Sequence, residues 1–305
     1  MGGAMKVVFM GSSEFSLPAF EALVSADSYD VVAVYTKAPK PAGRGYALTK
    51  TPVHICAEGK GIPVRSPVSL RAEGEESIMA EYAPDVIVVV SYGLMLPKWT
   101  LTASRMGCVN IHPSLLPRWR GAAPMQHAIL SGDTVTGVTI MQINEFMDAG
   151  DIYLQEVTEI GEKENILDLS RRLSVMGSRM LLKVLDSIGS IQPIKQDESG
   201  VTIANKLEEF RIDFEEAADV ICRRIRALYP KMYFMLDGSR VRVLEAESYE
   251  FAEMNIGDVI NNELHIRCGG NTALVPLVVQ QESKKPCDIK SFLCRFRGKS
   301  MPVVS

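Results

Sequence analysis

The sequence of 305 residues lacks any apolar run close to the ~20 residues that a membrane-spanning helix needs. Its first residues also lack the apolar stretch of a signal peptide and the Arg-rich character of a transit peptide. We therefore expect no membrane partner and a cytoplasmic location.

Cysteine and histidine are scarce and scattered. The six cysteines include no C-x-x-C pair, and the four histidines show no metal-ligand spacing, so neither a disulfide framework nor a metal site is predicted. The sequence also has no G-x-S-x-G motif and no cysteine beside a histidine that would favour a covalent intermediate. These absences disfavour metal chemistry and a covalent intermediate.

A net positive charge is missing too, since the formal net charge of -4 argues against a wholly basic nucleic-acid coat. Basic residues nevertheless cluster at 223–242, at 284–299 and in residues 36–52, a segment that contains Lys37, Lys40, Arg44 and Lys50 and no acidic residue. Composition alone favours solvated surfaces or a solubilising loop. The alternative is a set of contacts to the phosphates of a nucleic acid.

Apolar runs rich in Val and Ile alternate with amphipathic segments in the first half of the chain. The runs cover residues 6–11, 30–36, 84–92, 107–112 and 137–143. Continuous runs of this kind are typical of strands covered on both faces. We predict an α/β fold with a Rossmann-like, mostly parallel sheet and helices on both faces, within a catalytic domain at 1–190.

The texture of the sequence changes after a predicted helix at 164–185. Residues 191–210 are polar and weakly periodic and are predicted to be a linker. Short strand-like segments separated by Gly and Asn turns follow, so residues 211–305 are predicted to form a smaller C-terminal β-barrel of OB-like type.

The loop after the first strand reads Gly11-Ser12-Ser13-Glu14-Phe15. A dinucleotide-binding protein would carry G-x-G-x-x-G there, but only the first glycine is present. A nicotinamide or flavin dehydrogenase is therefore disfavoured.

Asn110 and His112 form the densest polar group at the end of a predicted strand. Two residues apart, they project from one face of the strand. An amide can stabilise an oxyanion, and an imidazole can move a proton near neutral pH. The alternative is a histidine that merely bonds a loop.

Asp148 follows the strand at 137–143 in a turn that reads MDAGD at 147–151. A glycine-containing turn can carry the acid back over the sheet edge, where it would orient the imidazole. The alternative is a plain Asp-Ala-Gly turn. Only the fold can bring Asp148 to His112.

Asn110, His112 and Asp148, with the SLLP motif at 114–117, resemble the catalytic set of the folate-dependent formyltransferases. Further similar stretches are FMGSSEF at 9–15, PAGRG at 41–45, SYGLMLP at 91–97, HPSLLPRWRGAAP at 112–124, RIDF at 211–214 and RIRAL at 224–228. The second domain, PAGRG and RWRGAAP make the chain similar to the branch that formylates initiator methionyl-tRNA.

The resemblance implies 10-formyltetrahydrofolate as the formyl donor, without a metal, and Asn110, His112 and Asp148 as catalytic residues. It implies that Ser114, Leu115, Leu116 and Pro117 shape the tetrahydrofolate site. It implies tRNA contacts from Arg44, Lys37 and Lys40 and from Lys284 and Lys285 in the second domain. We expect a monomer in the bacterial cytoplasm. Another amine acceptor (glycinamide ribonucleotide or an amino sugar) and a non-catalytic tRNA-binding protein stay open as alternatives.

Overall fold

The computed structural model describes residues 3–42, 47–294 and 304. Contacts divide the chain into two compact units. The first comprises Met1–Pro124, Thr136–Thr158 and Ser170–Ala204, and the second comprises Met125–Val135, Glu159–Leu169 and Asn205–Ser305. Within the described residues, no helix combines the length and the apolar character needed to cross a membrane.

The elements before residue 205 comprise eleven strands and six helices among the described residues. The strands are β1 Met5–Gly11, β2 Tyr29–Tyr35, β3 Lys40–Ala42, β4 Ala47–Thr49, β5 Val64–Arg65, β6 Val86–Val90, β7 Cys108–His112, β8 Arg120–Gly121, β9 Val135–Gln142, β10 Ile152–Glu159 and β11 Ile203–Ala204. The helices are α1 Leu17–Ser25, α2 Pro52–Gly59, α3 Glu75–Tyr82, α4 Lys98–Thr102, α5 Pro124–Leu130 and α6 Ile166–Ser187.

The central sheet has seven strands in the order β10-β9-β7-β6-β1-β2-β5. The five neighbouring strands β7, β6, β1, β2 and β5 run parallel to one another. Strand β9 pairs antiparallel with β7. The five residues of β6 are all buried, as their unbroken Val/Ile run predicts. The predicted mostly parallel α/β sheet is confirmed, and the carboxyl ends of β1, β6 and β7 lie at one edge.

The strands and helices of the second unit after residue 205 are α7 Ala218–Ala227, β12 Tyr233–Leu236, β13 Ser239–Glu250, β14 Ile266–Cys268, β15 Thr272–Gln281, β16 Cys287–Asp288 and α8 Ile289–Leu293. The strands form an antiparallel sheet with the order β12-β13-β15-β14, and β16 also pairs with β15.

The predicted separate C-terminal domain of antiparallel strands is confirmed, but its closure into a barrel is wrong for the described strands. Residues 258–260, which are among the short strand-like segments of the sequence, form only an isolated bridge between Val259 and Ile266. β14 pairs with residues 272–274 of β15, and β16 pairs with residues 278–279. Pro276, which has no N–H for a ladder bond, lies between them. Two short partners replace one long strand, so the sheet stays open.

Gly177 allows α6 to approach β7, the strand that carries Asn110 and His112. A Cβ at Gly177 would lie 2.6 Å from Cγ2 of Ile111. We predict that Gly177→Ala destabilises the protein by about 1–3 kcal/mol. The free-energy cost of relieving this overlap outweighs the ~0.5–1 kcal/mol by which alanine is favoured over glycine in a helix. Urea unfolding measures the change. Gly189→Ala is the control, since no atom lies within 4 Å of that Cβ; equal stability of both variants would contradict the prediction.

Candidate active site

β7 places Asn110 and His112 at the carboxyl edge of the sheet. Asn110 pairs with Met141 of β9, and His112 pairs with Thr139. His112 is buried, with 4% of its surface exposed, whereas Asn110 is half-buried. Within the described part of the chain, the Asn110 amide has no side-chain hydrogen bond. It can therefore donate to a bound molecule without breaking an existing contact.

The two ring nitrogens of His112 face different groups. Nε2 lies 2.9 Å from the carbonyl oxygen of Trp119. Because a carbonyl only accepts, Nε2–H must be the donor. Nδ1 faces the other way, 3.6 Å from Oδ2 of Asp148. Nδ1 is therefore the nitrogen that can gain or release a proton, and it does so beside a carboxylate.

Asp148 reaches this position from the turn after β9. Its backbone is left-handed, with φ of 49°, a conformation that aspartate tolerates better than most residues. Oδ2 accepts a hydrogen bond of 2.8 Å from the backbone N–H of Gly121. The carboxylate is thus fixed between Gly121 and His112, and the structure brings Asn110, His112 and Asp148 to one place.

Residues 119–121 were not predicted as site residues, although two of their backbone groups contact the predicted ones. Trp119 and Gly121 also have positive φ, 64° and 122°. A Cβ at Gly121 would lie 2.8 Å from the carbonyl oxygen of Ala204, so only glycine fits. The RWRG sequence at 118–121 is part of the family resemblance, but no local sequence pattern reveals these backbone contacts.

The loop at 114–117 is fixed by its own hydrogen bonds. The Ser114 hydroxyl donates to the carbonyl of Arg118, and the Leu116 N–H donates to Thr139 Oγ1. The Leu116 carbonyl accepts from the amide of Gln155. Ser114 and Leu116 are buried, while Leu115 and Pro117 are half-buried. These contacts give the loop a defined shape, and only Leu115 and Pro117 offer much side-chain surface.

The predicted tRNA contacts of the first unit have different surroundings. Lys40 is exposed on β3. Lys37 is half-buried, and its ammonium lies so close to Gly93 that a Cβ there would overlap it. Lys50 pairs with Glu58 at 2.7 Å. Arg44 lies outside the described residues.

Lys284 and Lys285 are exposed in the turn between β15 and β16. Neither side chain has an acidic partner among the residues that the structure describes. The arginines of α7 differ, because Arg223 pairs with Asp219 at 2.9 Å and Arg224 with Glu216 at 3.0 Å. The two basic segments of the second unit are therefore unequal in the charge that they leave free.

A cysteine also lies on the strand that carries Asn110 and His112. Cys108 is buried on β7, and burial raises the pKa of its thiol to about 12, so that it is a weak nucleophile. No group of three or more His, Cys, Asp or Glu that could hold a metal ion is found in the described residues.

Comparison with known families matches both parts of the chain. Residues 5–185 match the family described as Formyl transferase, and residues 205–297 match Formyl transferase, C-terminal domain. The matches cover most of the sequence.

Curated relatives share the length of this chain as well as its sequence. A methionyl-tRNA formyltransferase from Anaplasma marginale is 63% identical over 96% of this chain and 97% of its own length. One from Ehrlichia ruminantium is 49% identical over 98% of this chain and all of its own length.

Solved structures share the fold at lower identity. An N-formyltransferase from Helicobacter canadensis, solved with folinic acid and dTDP-3-aminofucose, has a TM-score of 0.65 at 17% identity, covering 91% of this chain and 99% of that one. HypX from Aquifex aeolicus, solved with tetrahydrofolic acid, has a TM-score of 0.59 at 16% identity, covering 97% of this chain and 48% of that one.

We predict that neutral His112 carries its proton on Nε2, because the Trp119 carbonyl can only accept. Nitrogen-15 NMR of the imidazole distinguishes the two tautomers. The imidazole signals of the urea-unfolded protein, in which no fixed acceptor selects a tautomer, serve as the reference. An Nδ1–H tautomer at His112 would contradict the proposed division of roles between the two nitrogens.

Proposed function

We propose, because this chain belongs to the methionyl-tRNA formyltransferase family, that it transfers a formyl group to the α-amino group of initiator methionyl-tRNA. The observation that carries the proposal is that the Asp148 carboxylate lies 3.6 Å from Nδ1 of His112. His112 shares its strand with Asn110, whose amide has no side-chain hydrogen bond within the described residues. Sheet edges of this kind hold the active sites of α/β enzymes.

The donor is 10-formyltetrahydrofolate in this proposal. Relatives of the same fold were solved with folinic acid and with tetrahydrofolic acid, which supports a reduced folate. Residues 114–117 would shape its site, chiefly through the backbone that Thr139 and Gln155 hold in place. Leu115 and Pro117 supply half-buried apolar surface there.

Asn110 and His112 stabilise the negative charge in this mechanism. The α-amine of the methionyl group attacks the formyl carbon, so a new C–N bond forms and the carbonyl oxygen becomes an oxyanion. The Asn110 amide and a protonated Nδ1 of His112 donate to that oxyanion. The carboxylate of Asp148 opposes the positive charge of the imidazolium.

Asp148 also anchors the water that takes the proton of the attacking amine. The bond from the formyl carbon to N10 of the folate then breaks, and N10 leaves with a proton, so the proton count balances. The carboxylate keeps its orientation through this exchange because Gly121 N–H holds Oδ2. His112 Nε2–H stays with Trp119 throughout.

The tRNA would be held by basic side chains of both units. Lys40 and Lys37, with Arg44, would approach the acceptor end, and Lys284 and Lys285 would bind the phosphates of the RNA. Lys284 and Lys285 support this because they are exposed and have no acidic partner among the described residues. We further propose that the protein acts as a monomer in the bacterial cytoplasm.

Competition between acceptors tests the function. Radiolabelled formyl donor is offered together with methionyl-tRNA, uncharged tRNA, glycinamide ribonucleotide and an amino-sugar nucleotide. We expect the label on the amino acid of the charged tRNA. Label on a small amine would identify a different acceptor, and tRNA binding without transfer would indicate a non-catalytic protein.

Asp148→Asn is expected to lower kcat by about 10²–10⁴, since it removes the charge that faces His112. Asparagine tolerates the left-handed backbone and can still accept from Gly121, so thermal stability should change little. Steady-state kinetics and a melting curve check this. Glu145→Gln in the same turn, an exposed partner of Lys98, is the control and should keep wild-type kcat. Wild-type turnover of Asp148→Asn would remove Asp148 from the mechanism.

Replacing both Lys284 and Lys285 with Ala is expected to weaken tRNA binding and to reduce the log–log salt slope by about 1.4–1.8, because each phosphate contact contributes ~0.7–0.9. Binding titrations at several salt concentrations measure both quantities. The control removes Lys163 and Lys206, which pair with Glu247 and Glu208. Equal slopes for the two double variants would mean that Lys284 and Lys285 do not touch the RNA.

A further inference from the structure

Gln196 is a buried amide in a polar and otherwise exposed segment. Only 5% of its surface is exposed, whereas Lys195 and Asp197 on either side are exposed. Residue 196 lies in the stretch between α6 and β11. A buried amide costs free energy unless its donors and acceptor are satisfied, so its partners explain why it is there.

The Gln196 amide uses its full capacity for hydrogen bonds. Nε2 donates to the backbone carbonyl of Asp148 at 2.8 Å and to that of Gly150 at 2.7 Å. Oε1 accepts from Nε and Nη2 of Arg120 at 3.0 and 2.7 Å. Carbonyls only accept and a guanidinium only donates, so these partners allow a single orientation of the amide.

These four bonds connect the two stretches of chain that meet at His112. On one side, Gln196 holds the backbone of the turn that carries Asp148. On the other side, it holds the side chain of Arg120, which is itself buried with 7% exposed. The neighbours of Arg120 are Trp119, whose carbonyl accepts from His112, and Gly121, whose N–H binds the Asp148 carboxylate.

The backbone of Asp148 needs such support. Its φ of 49° costs free energy even though aspartate tolerates it better than most residues, and a hydrogen bond to its carbonyl holds the following peptide in place. Rotation of this peptide would move the carboxylate away from Nδ1 of His112. A displacement of about 1 Å can cost about 10²-fold in rate.

We propose that Gln196 is a positioning residue, which holds Asp148 in its left-handed conformation and in register with residues 119–121. The inference rests on the proposed function, in which Asp148 serves His112. It assigns a catalytic consequence to the polar stretch before β11. Gln196 itself touches no reacting atom.

Gln196→Glu separates the two halves of the network. Glutamate has nearly the same size and can still accept from Arg120, but it cannot donate to the carbonyls of Asp148 and Gly150. We expect kcat to fall by about 10–100-fold, the usual cost of losing an outer support, while KM for both substrates changes less than about twofold. Lys195→Gln, an exposed neighbour, is the matched control and should behave as wild type.

A double-mutant cycle with Asp148→Asn tests whether Gln196 acts through Asp148. If it does, Gln196→Glu costs little further kcat in the Asp148→Asn background. Independent, additive losses would overturn the proposal, and so would wild-type kcat for Gln196→Glu in an active enzyme. A wild-type protein that transfers no formyl group would instead overturn the proposed function.

Hydrogen exchange gives a readout that needs no activity. The Gly121 N–H is protected by Asp148 Oδ2. We expect it to exchange faster in Gln196→Glu than in wild type, while amides of β6 keep their protection and so show that the sheet is folded. Unchanged exchange at Gly121 would show that Asp148 keeps its place without Gln196, and the proposal would fail.

Discussion

The Asp148 carboxylate is the contact on which the arrangement of the site depends. It accepts from Gly121 N–H at 2.8 Å and faces His112 Nδ1 at 3.6 Å. The turn after β9 and the ends of β7 and β8 meet at this one group. The left-handed φ of 49° that gives the carboxylate this position costs free energy, and hydrogen bonds elsewhere must offset that cost. The Gln196 amide is the buried group placed to supply them.

The sequence predicted those parts of the fold whose signal is local. The run of Val and Ile at 86–90 became the fully buried β6. The two-residue period of a strand suffices to predict that Asn110 and His112 lie on one face of β7. The mostly parallel sheet and the family could be predicted for the same reason, since both follow from short continuous motifs, and both predictions are confirmed. The domain boundaries at 190 and 210 and the roles of the site residues stay predictions.

Other features depend on contacts between distant residues, which no local pattern reveals. The polar residues 191–210 predicted a linker, which stays a prediction, but no pattern in them indicated that Ile194 pairs with Ile152 or that Ile203 and Ala204 pair with β8. Elements of two residues have no periodicity to detect. The prediction of a closed barrel is wrong because the regular spacing of short strands indicates how many strands exist but not whether the first and last ones pair. Gln196 was missed because its burial follows entirely from Arg120 and the Asp148 turn.

The distribution of charge also depends on contacts that the sequence does not reveal. By residue counts alone, α7 and the turn at 284–285 are both basic and are both candidates for binding RNA. In the structure, Asp219 and Glu216 neutralise Arg223 and Arg224, and Arg226 is half-buried with a hydrogen bond to the Glu164 carbonyl. Burial lowers the pKa of Arg226. Phosphates would have to displace these partners, so the positive charge available for binding lies where exposed lysines have no acid beside them. A basic segment in a sequence therefore marks a nucleic-acid surface only after its intramolecular acids have been located.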